Sequence, residues 1–79
     1  MELNQLEYFK ALAHINHFTQ ASQNLSVSQP ALSRSIAKLE SELGVPLFER
    51  SGKTIKLTQY GQIFLAHIER ALQEISTGK

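Results

Sequence analysis

The sequence contains no cysteine and no aspartate among its 79 residues. The first absence excludes a disulfide framework, a thiolate zinc site and a cysteine nucleophile. The second leaves glutamate as the only side-chain carboxylate, and no carboxylate pair or nucleophile–base pair stands out for catalysis. No apolar run approaches the roughly 20 residues that span a bilayer. A secretory leader is not expected either, because Glu2 and Glu7 stand where its lysines would be. The glycines and prolines are isolated at caps and turns, so the chain has no glycine-rich phosphate loop, low-complexity stretch or long linker. The net charge is only +1, unlike that of a supercharged nucleic-acid tail. What remains is a small intracellular domain, and a chain this short buries only about 60% of its unfolded surface. That favours a binding module over an enzyme.

Punctuation at Asn16-His17, Leu25 to Ser28, Gly44-Val45-Pro46 and Ser51-Gly52 leaves four helical stretches and one hairpin. In the first stretch Leu6, Phe9 and Ala13 form an apolar row that Leu12 and Ile15 widen. Thr19 is expected to cap a second, short helix ending at Leu25, with Ala21 and Leu25 turned inward. Ser28 can cap a third, whose first turn tolerates Pro30 because that turn has no intrahelical partner for the missing N–H. Leu32, Ile36, Leu39 and Leu43 then recur along one narrow side, Gly44 suits a left-handed cap, and Pro46 stops the helix. Residues 47–50 and 54–57 read as two short strands, and Thr58 can cap a last helix. That helix is apolar on two sides: Phe64, Ile68, Ala71 and Ile75 form one row, and Tyr60, Ile63, His67 and Leu72 another. The first row is expected to be a coiled-coil-like seam for a second copy, centred on Ile68. The second row is expected to meet the domain's own core. The fold class is therefore mainly α, a winged helix-turn-helix: three-helix core, two-stranded wing over 47–57 and a long C-terminal helix. Residues 1–58 are expected to form the binding domain and 59–79 a helix that pairs two copies.

Turning the leucine row of the third helix inward presents Pro30, Arg34, Ala37, Lys38 and Ser41 outward, with Gln29 and Ser33 on the flank. This slim polar face suits a DNA major groove about 12 Å wide, where Arg pairs with guanine and Gln with adenine. A solvated outer face is the plainer explanation of the same pattern; the tight turn before the helix and the basic hairpin after it favour the DNA reading, and the position of the charge adds moderate support. Residues 28–58 carry Arg34, Lys38, Arg50, Lys53 and Lys56 against Glu40, Glu42 and Glu49, a balance of +2, whereas residues 1–27 balance at −1 and 59–79 at zero. The excess falls where phosphates would lie. His14 and His17 lack further ligands for a metal and read as polar residues at a helix end; His67 reads as a packed or interfacial residue. No metal and no cofactor are expected.

The segments "LNQLEYFKALA", "SQPALSRSIAKLE" and "LGVPLFER" closely resemble the DNA-binding domain of LysR-type transcriptional regulators, and the likeness covers nearly the whole chain. Two departures stand out: Ser22 replaces the usual alanine, and Gln59-Tyr60 precedes Gly61 in place of an acidic-then-small pair. Neither lies on the reading face. The resemblance implies a helix-turn-helix over 18–37, with Gln29, Pro30, Ser33 and Arg34 near bases and the wing from Arg50 to Lys53 near phosphates or the minor groove. It implies that residues 59–79 are a linker helix, expected to be truncated, through which two copies pair, and that a larger C-terminal domain, absent here, binds a small-molecule effector. The candidate DNA-contacting set is thus Thr19, Ser28, Gln29, Pro30, Ser33, Arg34, Lys38, Arg50 and Lys53. The expected partner is double-stranded DNA bearing an interrupted inverted repeat, bound by a homodimer of a cytoplasmic, nucleoid-associated bacterial regulator. The competing reading is a winged-helix module whose apolar last helix serves protein association alone.

Overall fold

Three residues outside the right-handed helical region end the first three helices: Asn16 (φ 66°), Ser26 (φ 59°) and Gly44 (φ 75°). Glycine adopts that conformation freely and asparagine tolerates it. Ser26 is a costlier occupant, held because its N–H donates to the Gln23 carbonyl and that of Val27 to the Ser22 carbonyl. In the computed structural model, which describes residues 1–51 and 54–77, the elements are α1 (Leu3–Ile15), α2 (Phe18–Leu25), α3 (Gln29–Leu43), β1 (Phe48–Ser51), β2 (Thr54–Leu57) and α4 (Gln59–Thr77). This is the winged helix-turn-helix that the periodicity predicts.

The caps follow the sequence, with one correction. Ser28 Oγ accepts the Ala31 N–H at 3.2 Å, and Thr58 Oγ1 accepts that of Gly61 at 3.0 Å while donating to the Pro46 carbonyl at 2.7 Å. Thr19, however, does not cap α2. The helix starts two residues earlier than that cap would place it, His17 is its cap without a side-chain bond, and the Thr19 hydroxyl is taken up by Gln29. Ser22 is buried, and its hydroxyl donates to the Thr19 carbonyl at 2.8 Å, so the departure from alanine leaves no unpaired polar group.

The core is built on Phe9, Leu12, Leu32, Ile36, Leu39 and Leu47, each essentially inaccessible to water. The Phe9 ring meets both Phe48 of β1 and Phe64 of α4, with centroids 5.3 Å apart and planes tilted by 57° in each pair. Such tilted pairs place the positive edge of one ring toward the negative face of another. The strands are antiparallel, with Phe48 opposite Leu57 and Ser51 opposite Thr54. Residues opposite one another share a face, so Phe48, Arg50, Ile55 and Leu57 lie on the inner side of the wing. Glu49 and Lys56 lie on the outer side, 3.8 Å apart. β1 begins at Phe48 and ends at Ser51, one residue later than expected, because the Leu47 N–H is used by Glu40.

The phase of α4 is the main correction. Ile68 is only 4% exposed and Phe64 is half-buried, both against the chain's own core, while Tyr60 and Ile63 are 56% and 54% exposed. The rows expected to meet the core and a second copy have exchanged roles over the first half of the helix. Gly61 shows why. A Cβ there would run into the Leu47 carbonyl oxygen and approach Leu57 Cδ2 to 2.8 Å, so the glycine side of α4 faces the wing and brings Phe64 and Ile68 inward. Further along, Ala71 and Ile75 are exposed, and Leu72 borders with Ile75 an open groove of about 460 Å³ against Leu3 and Ala11.

Ile68→Glu would therefore bury a charge in the domain's own core and report on folding, not on pairing. Ile68→Ala should lower the unfolding free energy by about 2–5 kcal/mol, as large-to-small core changes do. Ile63→Ala should change it by no more than about 0.5 kcal/mol. Urea denaturation of the two variants tests this phase; equal losses would contradict it.

Candidate nucleic-acid interface

With Leu32, Ile36 and Leu39 turned inward, the opposite side of α3 is open to solvent. Gln29, Pro30, Arg34, Ala37, Lys38 and Ser41 are all exposed, and Ser33 is half-buried on the flank. The face is slim near the N-terminus, where proline and serine allow close approach, and cationic beyond it. Ser28 sits just before it, exposed, with its hydroxyl committed to the cap. Arg34 and Lys38 also border a shallow groove of about 290 Å³ whose far wall includes Asn4 and Tyr8 of α1.

Two contacts join this face to its surroundings. The Thr19 hydroxyl donates to Gln29 Oε1 at 3.1 Å, linking the first turns of α2 and α3. On the wing, the Arg50 guanidinium lies 4.7 Å above the centre of the Phe18 ring. A guanidinium over a ring face is attracted by the ring quadrupole, and its five N–H donors exceed what the ring engages, so donors remain for an anion. Arg50 is thus held beside the start of α2 while exposed.

A third contact positions the wing from below. Glu40 Oε2 accepts the N–H groups of Leu47 and Phe48 at 2.7 and 3.3 Å, so one carboxylate on α3 receives the chain as it enters β1. Near the end of α3, a 2.9 Å hydrogen bond from the Met1 ammonium holds the Glu42 carboxyl below the usual carboxylate range, partial desolvation opposing the shift.

Of the candidate set, Gln29, Pro30, Ser33, Arg34 and Lys38 lie together on α3, with Thr19 and Ser28 at its entrance and Arg50 alongside α2. Lys53 falls outside the described residues. The four residues expected at a dimer seam are split: Phe64 and Ile68 belong to the core, Ala71 and Ile75 to the surface. His14 Nε2 lies 2.9 Å from Glu69 Oε2, tying α1 to α4, and His67 is exposed rather than packed. Among the described residues no group of three or more histidine or carboxylate side chains could hold a metal, and no helix is long and apolar enough to cross a membrane. Phe18 and Glu40 were not legible as positioning residues. Arg50 lies far from Phe18 in sequence, and Glu40 meets backbone N–H groups across the turn after α3, a kind of contact that no side-chain spacing signals.

A short helix turned against a longer one, with the longer helix open to solvent and a basic wing beside it, defines a winged helix-turn-helix module. Residues 3–62 match the family described as bacterial regulatory helix-turn-helix protein, lysR family, and the chain belongs to that family. It is 56% identical over 79 residues to an uncharacterized HTH-type transcriptional regulator, YybE, of Bacillus subtilis (strain 168), covering all of this chain and 27% of that protein. It is 49% identical over 79 residues to the transcriptional dual regulator GltC of the same organism, covering 26% of it. The chain thus spans about a quarter of the length of these curated relatives. Its fold superposes on that of the CbnR_DBD–DNA complex with a TM-score of 0.94 at 41% identity, covering 99% of this chain and 90% of that one. For the BenM_DBD/benA site 1 DNA complex the TM-score is 0.93 at 39% identity, with coverage of 98% and 90%.

Glu40→Ala should lower the unfolding free energy by about 1.5–3 kcal/mol, the range for hydrogen bonds to a charged group. Glu40→Gln, which keeps a neutral acceptor, should lose less. Denaturant unfolding checks the order; an unaffected Glu40→Ala would show that the wing is held without this carboxylate.

Proposed function

We propose that the chain is the DNA-binding part of a LysR-type regulator, and that it binds double-stranded DNA sequence-specifically as a two-fold pair to control transcription. The observation that carries this reading is the exposed N-terminal face of α3, free of core duties, with Arg50 held over Phe18 at the start of the neighbouring α2. Arg34 has the fork that pairs with guanine O6 and N7, and Gln29 has an amide that can reach a base edge. Pro30 and Ser33 keep the helix slim enough to approach. Lys38, Arg50 and Lys53 supply charge to phosphates, and Ser28 stands at the helix start where backbone oxygens would pass. The relatives solved with DNA support the same use of the fold. No catalytic step, metal or cofactor enters this reading. The small-molecule response implied by the resemblance belongs to a part of the regulator outside these 79 residues. The setting is the bacterial cytoplasm, on the nucleoid.

Pairing would run along the outer side of α4. At 100° per residue, Tyr60, Ile63, His67 and Ala71 fall within about 80° of one another, forming an apolar strip that the core does not use. This replaces the Phe64 and Ile68 seam. A two-fold pair through it would face an inverted repeat whose half-sites lie about one helical turn, or a multiple of it, apart.

Arg34→Ala and Gln29→Ala should each leave the fold intact and cost about 1–3 kcal/mol in binding to a selected duplex, and less on unrelated DNA. Competition binding reads this, and equal affinity for both classes would contradict base reading. Affinity should also fall steeply with salt, as counterion release requires. A salt-independent or absent affinity would favour the association-only reading. Ile63→Glu, on an exposed position, should give a folded monomer that keeps half-site binding and loses most affinity for the paired site. Sedimentation that still shows the parent's association would remove α4's outer strip as the interface.

A further inference from the structure

Thr19 and Gln29 come from different helices and meet across the turn, the threonine hydroxyl donating to the glutamine's Oε1 at 3.1 Å. Both residues are exposed, so the bond is not a requirement of core packing. Its effect is on the amide. A free glutamine amide presents either its oxygen or its NH2 to a ligand, since the last side-chain torsion is broad and two-fold. Here the oxygen is engaged toward α2, and among the described residues the NH2 donates to no protein group. The side chain is therefore prearranged as a donor.

We propose that Thr19 is a specificity-determining positioning residue: by holding the Gln29 oxygen, it turns the amide NH2 outward and biases this position toward base edges that offer acceptors. The proposal rests on the reading that α3 brings Gln29 to the bases of the major groove. A two-pronged contact to adenine needs the glutamine oxygen to accept from N6 while the NH2 donates to N7. With the oxygen held toward α2 by Thr19, adenine keeps only the bond to N7 and its N6 prong is disfavoured, whereas thymine O4 and guanine O6 and N7 need only a donor and lose nothing. Thr19 then influences base choice without touching a base. The hydroxyl has one hydrogen to donate. Given to Gln29, it is not available to a phosphate oxygen, which only accepts, so a backbone-contact role and a positioning role for Thr19 exclude each other and leave different signatures.

The test uses this chain with a randomised duplex pool, followed by competition among duplexes carrying each of the four bases at each selected position. Gln29→Ala first locates the position where Gln29 acts, by flattening its preference. There the parent should favour thymine or guanine. Thr19→Val, which keeps the shape and removes the hydroxyl, should shift that preference toward adenine or toward none by roughly 3- to 10-fold, the factor a single hydrogen bond is worth. Thr19→Ser, which restores the hydroxyl, should retain the parental choice. In the Gln29→Ala background, Thr19→Val should alter no base preference there. Two results would overturn the proposal: a Thr19→Val variant weakened equally on all duplexes, with base choice unchanged, or a parent that prefers adenine at the Gln29 position. Should Gln29→Ala leave every base preference unaltered, base reading by Gln29 itself fails, and the proposal fails with it for that separate reason. Circular dichroism of each variant confirms that the helices are intact.

Discussion

The structure depends on one ring. Phe9, fully buried in the middle of α1, touches Phe48 at the start of the wing and Phe64 near the start of α4 at the same separation and tilt. Through these two contacts the wing and the last helix take their places relative to the helices before them. Around the ring, Leu12 of α1 and Leu32, Ile36 and Leu39 of α3 complete a dry core. In so small a domain each of these side chains carries a large share of the buried apolar surface, so the direction in which α3 faces is a consequence of packing. Once its leucines face Phe9 and Leu12, its polar side has only solvent in front of it.

Polar contacts then refine what the core sets coarsely. Glu40 receives the backbone where the chain enters β1, and Thr58 joins Pro46 to the start of α4. Farther out on the wing, Arg50 rests on Phe18 while its neighbour across the ladder, Ile55, is buried. The wing is thus held at its base by a carboxylate and at Arg50 by a cation over an aromatic ring. On the other side, Thr19 and Gln29 join the entrances of α2 and α3. Two chemically different ties therefore reach α2, one from the wing and one from α3, and link the three elements near the entrance of α3. Preorganisation of this kind reduces the ordering that binding would otherwise require.

Much of this was legible in the sequence, for local reasons. The ends of α1 and α3 follow from Asn16, Gly44 and Pro46, and the start of α3 from Ser28 and Pro30, because each acts through its own backbone. The inward row of α3 stands out since it is apolar on one side only. α4 carries apolar residues on two sides, and periodicity cannot say which of them meets the core. The choice is made by a close approach between Gly61 and the Leu47 carbonyl, a tertiary fact with no local trace. The displaced start of α2 has a similar origin, since the Thr19 hydroxyl found a partner ten residues away in place of its own helix end. The resemblance to LysR-type domains carried the functional expectation; the geometry leaves the α3 face exposed and takes Phe64 and Ile68 into the core, so those two are not available to a seam on α4.

The central claim is that the N-terminal face of α3 is the surface that meets DNA. Mapping of backbone amide shifts during titration of the labelled chain with a duplex selected from a random pool tests it most directly. The largest changes should fall on Ser28 to Arg34, with a second group at Phe18 and Thr19 and around Arg50. Residues lining the groove between α1 and α4, such as Ala11 and Leu72, should move little. Changes confined to α4 and the far side of α1, with α3 silent, would contradict the assignment of α3 as the reading helix.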